Sequence, residues 1–307
     1  MIDVDDVNKD TSAAHPARPG GLHAYKPRRR SVDFARTIYR SYPGRIGGSV
    51  MLVIILLAVV APLVAPYSAD GQQIVDRLQS PSLRHFFGTD ELGRDIFSRI
   101  LYGSRISLTV GIVAVSIALA IGVTVGLIAG YYGGVVDMLL MRFVDIMLAF
   151  PGFLLALAII AMLGPSLRNA MIAVGIGSST GFARLVRGSV LSIKENDYVM
   201  AAHVIGAPSS RIMRTHVLPN ALTPIIVLAT LELPATILIA AGLSFLGLGA
   251  QPPSPEWGAM LVDGRSYIQT AWWLITFPGI AIFVTVLGFN LFGNALQDAL
   301  NPRLRRR

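Results

Sequence analysis

Long runs without a charged residue constrain this chain more than any other feature of its sequence. Each of five runs reaches the roughly 20 residues that a helix needs to cross the hydrocarbon of a bilayer. They extend over Ile46–Ala69, Ile106–Val136, Ile146–Leu167, Val217–Pro255 and Ser266–Gln297, with Glu232 as the single interruption of the fourth. A shorter run, Asn169–Ala183, becomes adequate if Arg184 and Arg187 extend to the membrane surface. We therefore predict an all-α polytopic membrane protein with six transmembrane helices.

The composition agrees with this class and excludes several others. Of the 307 residues, 53% are hydrophobic and 14% are charged, whereas soluble domains carry about 25% charged residues. That deficit excludes a soluble enzyme and a disordered protein. The absence of cysteine excludes disulfide frameworks, thiolate metal sites and cysteine nucleophiles.

The net charge of +8 sets the expected orientation. A basic chain can bind nucleic acid, but in so apolar a chain we predict no nucleic-acid partner and interpret the charge through the positive-inside rule. With both termini cytoplasmic, six crossings place 19 of the 26 basic residues inside the cell. We predict the cytoplasmic membrane as the location. The predicted segments are a tail over 1–45, a first helix and outer loop over 46–103, a transmembrane domain over 104–298 and a basic tail over 299–307.

The first tail carries the basic run Lys26–Arg30 and lacks apolar periodicity. We expect it to be disordered, with its basic end near anionic membrane lipid.

The outer loop, from about Pro66 to Arg105, contains a candidate interfacial helix. Thr89 can cap it, and Asp90 and Glu91 then lie at the positive end of its dipole. Leu92, Ile96, Phe97, Ile100 and Leu101 share one face, and Arg94, Asp95, Ser98 and Arg99 occupy the others. Two interpretations remain open, a solvated surface helix and a docking platform for a partner.

The inner loop, from about Leu185 to Pro219, predicts two short helices joined at a bend. Gly206 ends the first at a left-handed position, and Pro208 fits the first turn of the second, which we expect to stop before Pro219. The expected apolar contacts are Val199, Ala202, Ile205, Ile212, Met213 and Val217. An apolar knob without a core of its own requires a groove on another protein. Arg211 and Arg214 are either ordinary surface charges or steer that contact.

Two features inside the predicted spans carry expectations about packing and function. Gly122, Gly126, Gly130 and Gly134 recur every fourth residue, which predicts a close helix–helix contact, with gating as the alternative. Glu232 is an intramembrane carboxylate, a costly feature that indicates either a function in the pathway or a protonated or paired group within the bundle. We expect Arg142 and Asp145 to pair locally.

No motif in the sequence supports a catalytic, metal-binding or nucleotide-binding function. Gly177–Gly181 matches the G-x-S-x-G pattern of serine hydrolases, but it lies in an apolar run and no later span supplies a histidine. The sequence shows no metal cluster and no phosphate-binding G-x-x-x-x-G-K-[ST] loop. The chain therefore has no predicted catalytic residue and no cofactor of its own.

The segment Asp197–Asn220 resembles the EAA loop of bacterial ABC-importer permeases. Ala201, Ala202, Gly206, Leu218 and Pro219 match its spacing, whereas Met200 stands where the family has glutamate. Three further segments are similar to the second permease subunit of dipeptide and oligopeptide importers. They are His85–Leu108, Leu243–Arg265 and Gly288–Arg305.

This resemblance implies a type I ABC (MetI-like) transmembrane fold and a non-catalytic subunit. The implied partners are a homologous permease, two cytoplasmic ATPase subunits that hold the ATP and magnesium, and an extracytoplasmic binding protein. ATPase coupling would pass through residues 197–219, with Ala207 and Arg211 beside the matched positions. The implied cargo is a di- or oligopeptide. The same scaffold could carry nickel, glutathione or another small solute, and a secondary transporter is the alternative from a different class.

Overall fold

The computed structural model describes residues 38–39 and 41–300; the predictions for residues 1–37 and for the basic tail beyond 300 lie outside them. In chain order the helices are α1 Tyr42–Val64, α2 Ile96–Tyr132, α3 Gly134–Leu148, α4 Gly152–Leu163, α5 Leu167–Lys194, α6 Asp197–Val204, α7 Ser209–Phe245, α8 Trp257–Gly264 and α9 Trp273–Leu300. Single 3-10 turns lie at Ile74–Asp76 and Arg265–Tyr267.

The helices confirm the predicted class, an all-α membrane protein. Within the described part of the chain, the 4 helices α1, α2, α7 and α9 are long and apolar enough to cross a membrane, and α3 with α4 forms a bent fifth candidate. The remaining long helix, α5, has 28 residues and carries four basic side chains, Arg168, Arg184, Arg187 and Lys194. The count of six crossings and the cytoplasmic location of the termini therefore stay predictions.

The predicted span Ile146–Leu167 is broken rather than straight. The axes of α3 and α4 differ by 93° at a break between Leu148 and Gly152. Pro151, the N-cap of α4, explains the break, because proline has no N–H to donate and disfavours helical geometry at the residue before it.

The outer segment differs most from its prediction. No helix begins at Thr89; α2 begins at Ile96, where the Asp95 carboxylate accepts a hydrogen bond from the Ser98 N–H at 2.8 Å. Residues 89–95 form a tight turn instead, with Gly93 in a left-handed conformation against the Gln73 backbone. Arg94, Asp95, Ser98 and Arg99, which we predicted on the other faces of that helix, are all buried. The expectation of an interfacial helix capped by Thr89 is wrong because these charges pair with each other and with distant residues.

The helices α2 and α5 form the most extensive helix contact in the described chain. Gly122, Gly126 and Gly130 all face α5, and a Cβ at Gly126 would lie 2.5 Å from the Ala183 carbonyl oxygen. Gly134 does not continue the series. It begins α3, and no atom lies within 4 Å of the position that its Cβ would take. The fourth predicted packing position is wrong because α2 ends at Tyr132 and the chain turns at Gly133.

Candidate coupling site and membrane pocket

The bend after α6 has the geometry of a Schellman C-cap. Gly206 adopts φ +78°, its N–H donates to the His203 carbonyl at 3.0 Å, and the Ala207 N–H donates to the Ala202 carbonyl at 3.1 Å. These bonds satisfy carbonyls that the helix end would otherwise leave unpaired. The left-handed bend predicted at Gly206 is therefore present.

The second helix of the predicted knob is not short. Pro208 is its N-cap, and α7 runs from Ser209 to Phe245 without stopping before Pro219. A π turn over Met213–Val217 precedes Leu218. This turn shifts the hydrogen-bond register just before Pro219, which has no N–H, and so the helix passes the proline that we expected to end it.

The knob packs against its own chain, contrary to the prediction that it has no core. Val199, Ile212 and Val217 are fully buried in a cluster with Val186 and Val190 of α5. Ala202 is also buried. Of the predicted coupling positions, Ala202 is thus occupied by an internal contact. The other predicted coupling positions are exposed or partly exposed: Ala201, Gly206, Ala207, Arg211, Leu218 and Pro219.

An apolar surface remains on the knob beside the bend. Val204 is 87% exposed and Ile205 83%, and Tyr198 and Met200 are exposed as well. We call these four residues the tip. Ile205 was expected to make an apolar contact and instead faces outward, and Val204 was missed. Val204 directly precedes Ile205 and the helix-ending glycine, so an apolar pair beside that glycine is visible in the sequence.

Ion pairs attach α3 to α5 close to the knob. The Arg187 guanidinium donates to both Asp137 carboxylate oxygens, at 2.5 and 2.6 Å, and Arg184 donates to Asp145 at 2.6 Å. The expected local pair between Arg142 and Asp145 is therefore wrong, because Asp145 turns towards α5 instead.

Glu232 lies in a cavity of about 250 Å³ between α3, α4, α5 and α7. The helix α7 continues through Pro234, two residues after Glu232. The cavity is lined by Met147, Leu148, Phe150, Gly152, Leu155, Val174, Gly177, Ser178, Thr180, Gly181, Glu232 and Ile239. The G-x-S-x-G segment therefore forms a helical wall of this cavity.

A network of buried charges lies at the opposite end of α2 from the knob. Arg94 donates to Asp90 at 2.5 Å and lies 3.5 Å from Asp263, and Arg99 lies 3.9 Å from Asp263. Burial raises the pKa of the Asp263 carboxyl above its ordinary value, and the two guanidinium groups oppose that shift. The network and the knob lie near opposite ends of α2, which is about 55 Å long, since it has 37 residues and a helix rises about 1.5 Å per residue.

Comparison with known proteins defines the class. A family model described as the binding-protein-dependent transport system inner membrane component matches residues 122–306. A second model, the N-terminal transmembrane domain of oligopeptide transport permease C, matches residues 31–81. The chain belongs to this family of inner-membrane transport components, as the resemblance of its 197–220 segment predicted.

Individual relatives cover most of the chain. The dipeptide transport system permease protein of Alkalihalophilus pseudofirmus is 54% identical over 85% of this chain and 86% of its own length. A di/tripeptide transport system permease of Pseudomonas aeruginosa is 47% identical, with 85% and 89% covered. The glutathione transport system permease of Pectobacterium atrosepticum is 46% identical, with 89% and 91% covered.

Solved structures support the fold. A chain of the MetNI methionine ABC transporter in an inward-facing conformation matches with a TM-score of 0.54 at 20% identity, over 67% of this chain and 98% of that one. The predicted MetI-like transmembrane fold is thereby confirmed.

Proposed function

We propose that this chain is one of two permease subunits of an ATP-driven importer that carries di- or oligopeptides across the cytoplasmic membrane. A homologous permease completes the translocation pathway, and an extracytoplasmic binding protein delivers the peptide. Peptide cargo is supported by the dipeptide and di/tripeptide permeases among the relatives. Glutathione is the second candidate cargo, because a glutathione permease is 46% identical.

The observation that carries the coupling proposal is the exposed apolar tip on an anchored knob. Large apolar side chains such as Val204 and Ile205 lose about 25 cal/mol per Å² of free energy when a partner removes them from water. Two ATPase subunits, which hold the ATP and magnesium, are the proposed partners, one on this chain and one on the second permease.

The anchoring of the knob gives a route for the force. Displacement of the tip moves α6, and α6 is packed through Val199 against Val186 and Val190 of α5. The knob's other half is the beginning of α7. Because α5 and α7 both line the Glu232 cavity, ATPase closure would rotate the walls of that cavity and alternate its access between the two membrane sides.

Reconstitution of the complex tests the proposal. The purified chain, with its partner permease and ATPase subunits in proteoliposomes, should accumulate labelled dialanine when ATP and the binding protein are present. Uptake that requires an ion gradient and no ATP would indicate a secondary transporter instead. Uptake of glutathione but not dialanine would select the second cargo.

A tip variant tests the docking surface separately. The double substitution V204D/I205D should prevent co-purification of the ATPase subunits, because two charges replace the proposed apolar contact. The matched control is L83D, since Leu83 is also an exposed apolar residue, at 94%, but lies in the loop between α1 and α2. Equal ATPase recovery with both variants would exclude the tip as the docking surface.

A further inference from the structure

The lining of the Glu232 cavity contains one carboxylate and is otherwise apolar or weakly polar. Its lining includes Leu155, Val174 and Ile239, and Glu232 takes part in none of the ion pairs or hydrogen bonds found among residues 38–39 and 41–300. An ionised carboxylate in such surroundings is costly unless a cation accompanies it. Other charged groups of α3 and α5, such as Asp145 and Arg184, are already paired with each other.

Glycines keep the cavity open next to Glu232. A Cβ at Gly152 or Gly181 would meet no atom within 4 Å, and one at Gly177 would meet only the Gly152 carbonyl oxygen, at 3.7 Å. Glycine inside a helix costs about 1 kcal/mol relative to alanine. Gly126 offsets that cost by close packing against α5, whereas Gly177 and Gly181 border empty space.

The break between α3 and α4 borders the same cavity. Leu148, the last residue of α3, and Gly152, the first residue of α4, both line it, so the negative end of one helix dipole and the positive end of the other meet there and largely offset each other. The Ser178 and Thr180 side chains on α5 add hydroxyl groups to the lining. The Glu232 carboxylate is therefore the group in this lining that favours a cation.

We propose that this cavity binds the protonated amino group of the transported solute, with Glu232 as its counter-ion. The proposal rests on the peptide importer function proposed above and names the part of the cargo that is recognised inside the membrane. A single carboxylate with hydroxyl groups suits an ammonium group, whereas a divalent metal ion requires more charged or oxygen ligands. A volume of about 250 Å³ is below that of pockets for drug-sized ligands, so it fits an amino terminus and one side chain, not a whole oligopeptide.

Equilibrium binding to the assembled complex tests this site directly. Labelled dialanine is titrated at neutral pH into the purified complex without the binding protein, using wild type, E232Q and the matched control E195Q. Glu195 is an exposed residue at the end of α5. Unlabelled N-acetyl-dialanine, which lacks the ammonium group, serves as the competitor.

We expect E232Q to bind dialanine at least tenfold more weakly than wild type, with E195Q unchanged. N-acetyl-dialanine should compete at least tenfold less well than dialanine in wild type and equally well in E232Q. Equal affinities of E232Q and wild type, equal competition by the acetylated peptide in wild type, or no binding by wild type would each overturn the proposal.

If E232Q does not assemble, a variant that fills the cavity tests the proposed binding site instead. In G181L the added side chain occupies the cavity, and we expect an intact complex by gel filtration with at least a tenfold loss of dialanine binding. Normal binding by G181L, or failure of the subunits to assemble, would overturn the proposed site. ATP-driven peptide uptake by the wild-type complex is scored separately, so the importer function can stand when this site fails.

Discussion

Substitution of Gly126 by alanine tests the close contact between α2 and α5. The added Cβ would lie 2.5 Å from the Ala183 carbonyl oxygen, 2.8 Å from the Val186 Cβ and 3.0 Å from the Arg187 nitrogen. All three atoms belong to, or lie next to, helix backbone and cannot rotate away. Overpacking of this kind costs about 1–3 kcal/mol, and the better helix propensity of alanine returns about 1 kcal/mol. We expect a net loss of up to roughly 2 kcal/mol, or a fall in Tm of up to about 8 °C.

The assay is thermal unfolding of the detergent-purified complex, followed by gel filtration of samples heated in steps. The matched control is G188A in the same contact partner, α5, because no atom lies within 4 Å of a Cβ at Gly188. Its Tm should stay equal or rise slightly, since alanine favours the helix and meets no obstacle. If G126A and G188A have the same Tm, α2 and α5 do not approach as closely as the structure places them.

Two further predictions concern charged groups. D137N should destabilise the complex by about 1–2 kcal/mol, because it removes the charge from a bidentate pair with Arg187. D145N should cost less than about 1 kcal/mol, because Asp145 and Arg184 are both exposed. Tm measurements on both variants check this order, and equal losses would contradict it. Because burial raises the Asp263 pKa, its contribution to stability is greatest below the ordinary carboxyl pKa and is lost as the pH rises through the raised value. The Tm of wild type relative to that of D263N should therefore fall as the pH rises from the ordinary carboxyl pKa to the raised value. A constant Tm difference would refute the raised pKa of Asp263.

The long-range contacts of the outer segment explain why its structure could not be predicted from the sequence. A local pattern favoured a helix from Thr89, with Arg94 and Arg99 outside its apolar face. In the structure Arg99 is buried near Asp90 and Asp263, and Asp263 is far away along the chain. Hydrophobic periodicity contains no information about a charge that pairs with a residue far along the chain. The segment was therefore predicted at the membrane interface, although its charged residues are buried.

Local geometry, in contrast, was predictable where one residue determines it. The left-handed conformation at Gly206 follows from the glycine itself, since other residues rarely adopt it. The end of the second knob helix at Pro219 was mispredicted for a related reason. Proline forbids one hydrogen bond, but a π turn over Met213–Val217 changes the register and removes the need for that bond.

The bend at Gly206 provides a test of force transmission that does not depend on a lost contact. Its φ is +78°, and no atom lies within 4 Å of a Cβ placed there, so a side chain introduces backbone strain without a clash. Asparagine tolerates this conformation and β-branched residues do not. We expect G206V to lose most ATP-driven uptake, at least tenfold, and G206N to retain at least half. The left-handed region costs ordinary residues about 1–2 kcal/mol, and relief of that strain would turn the tip away from the ATPase. Equal uptake by the two variants would mean that the bend does not transmit the ATPase movement.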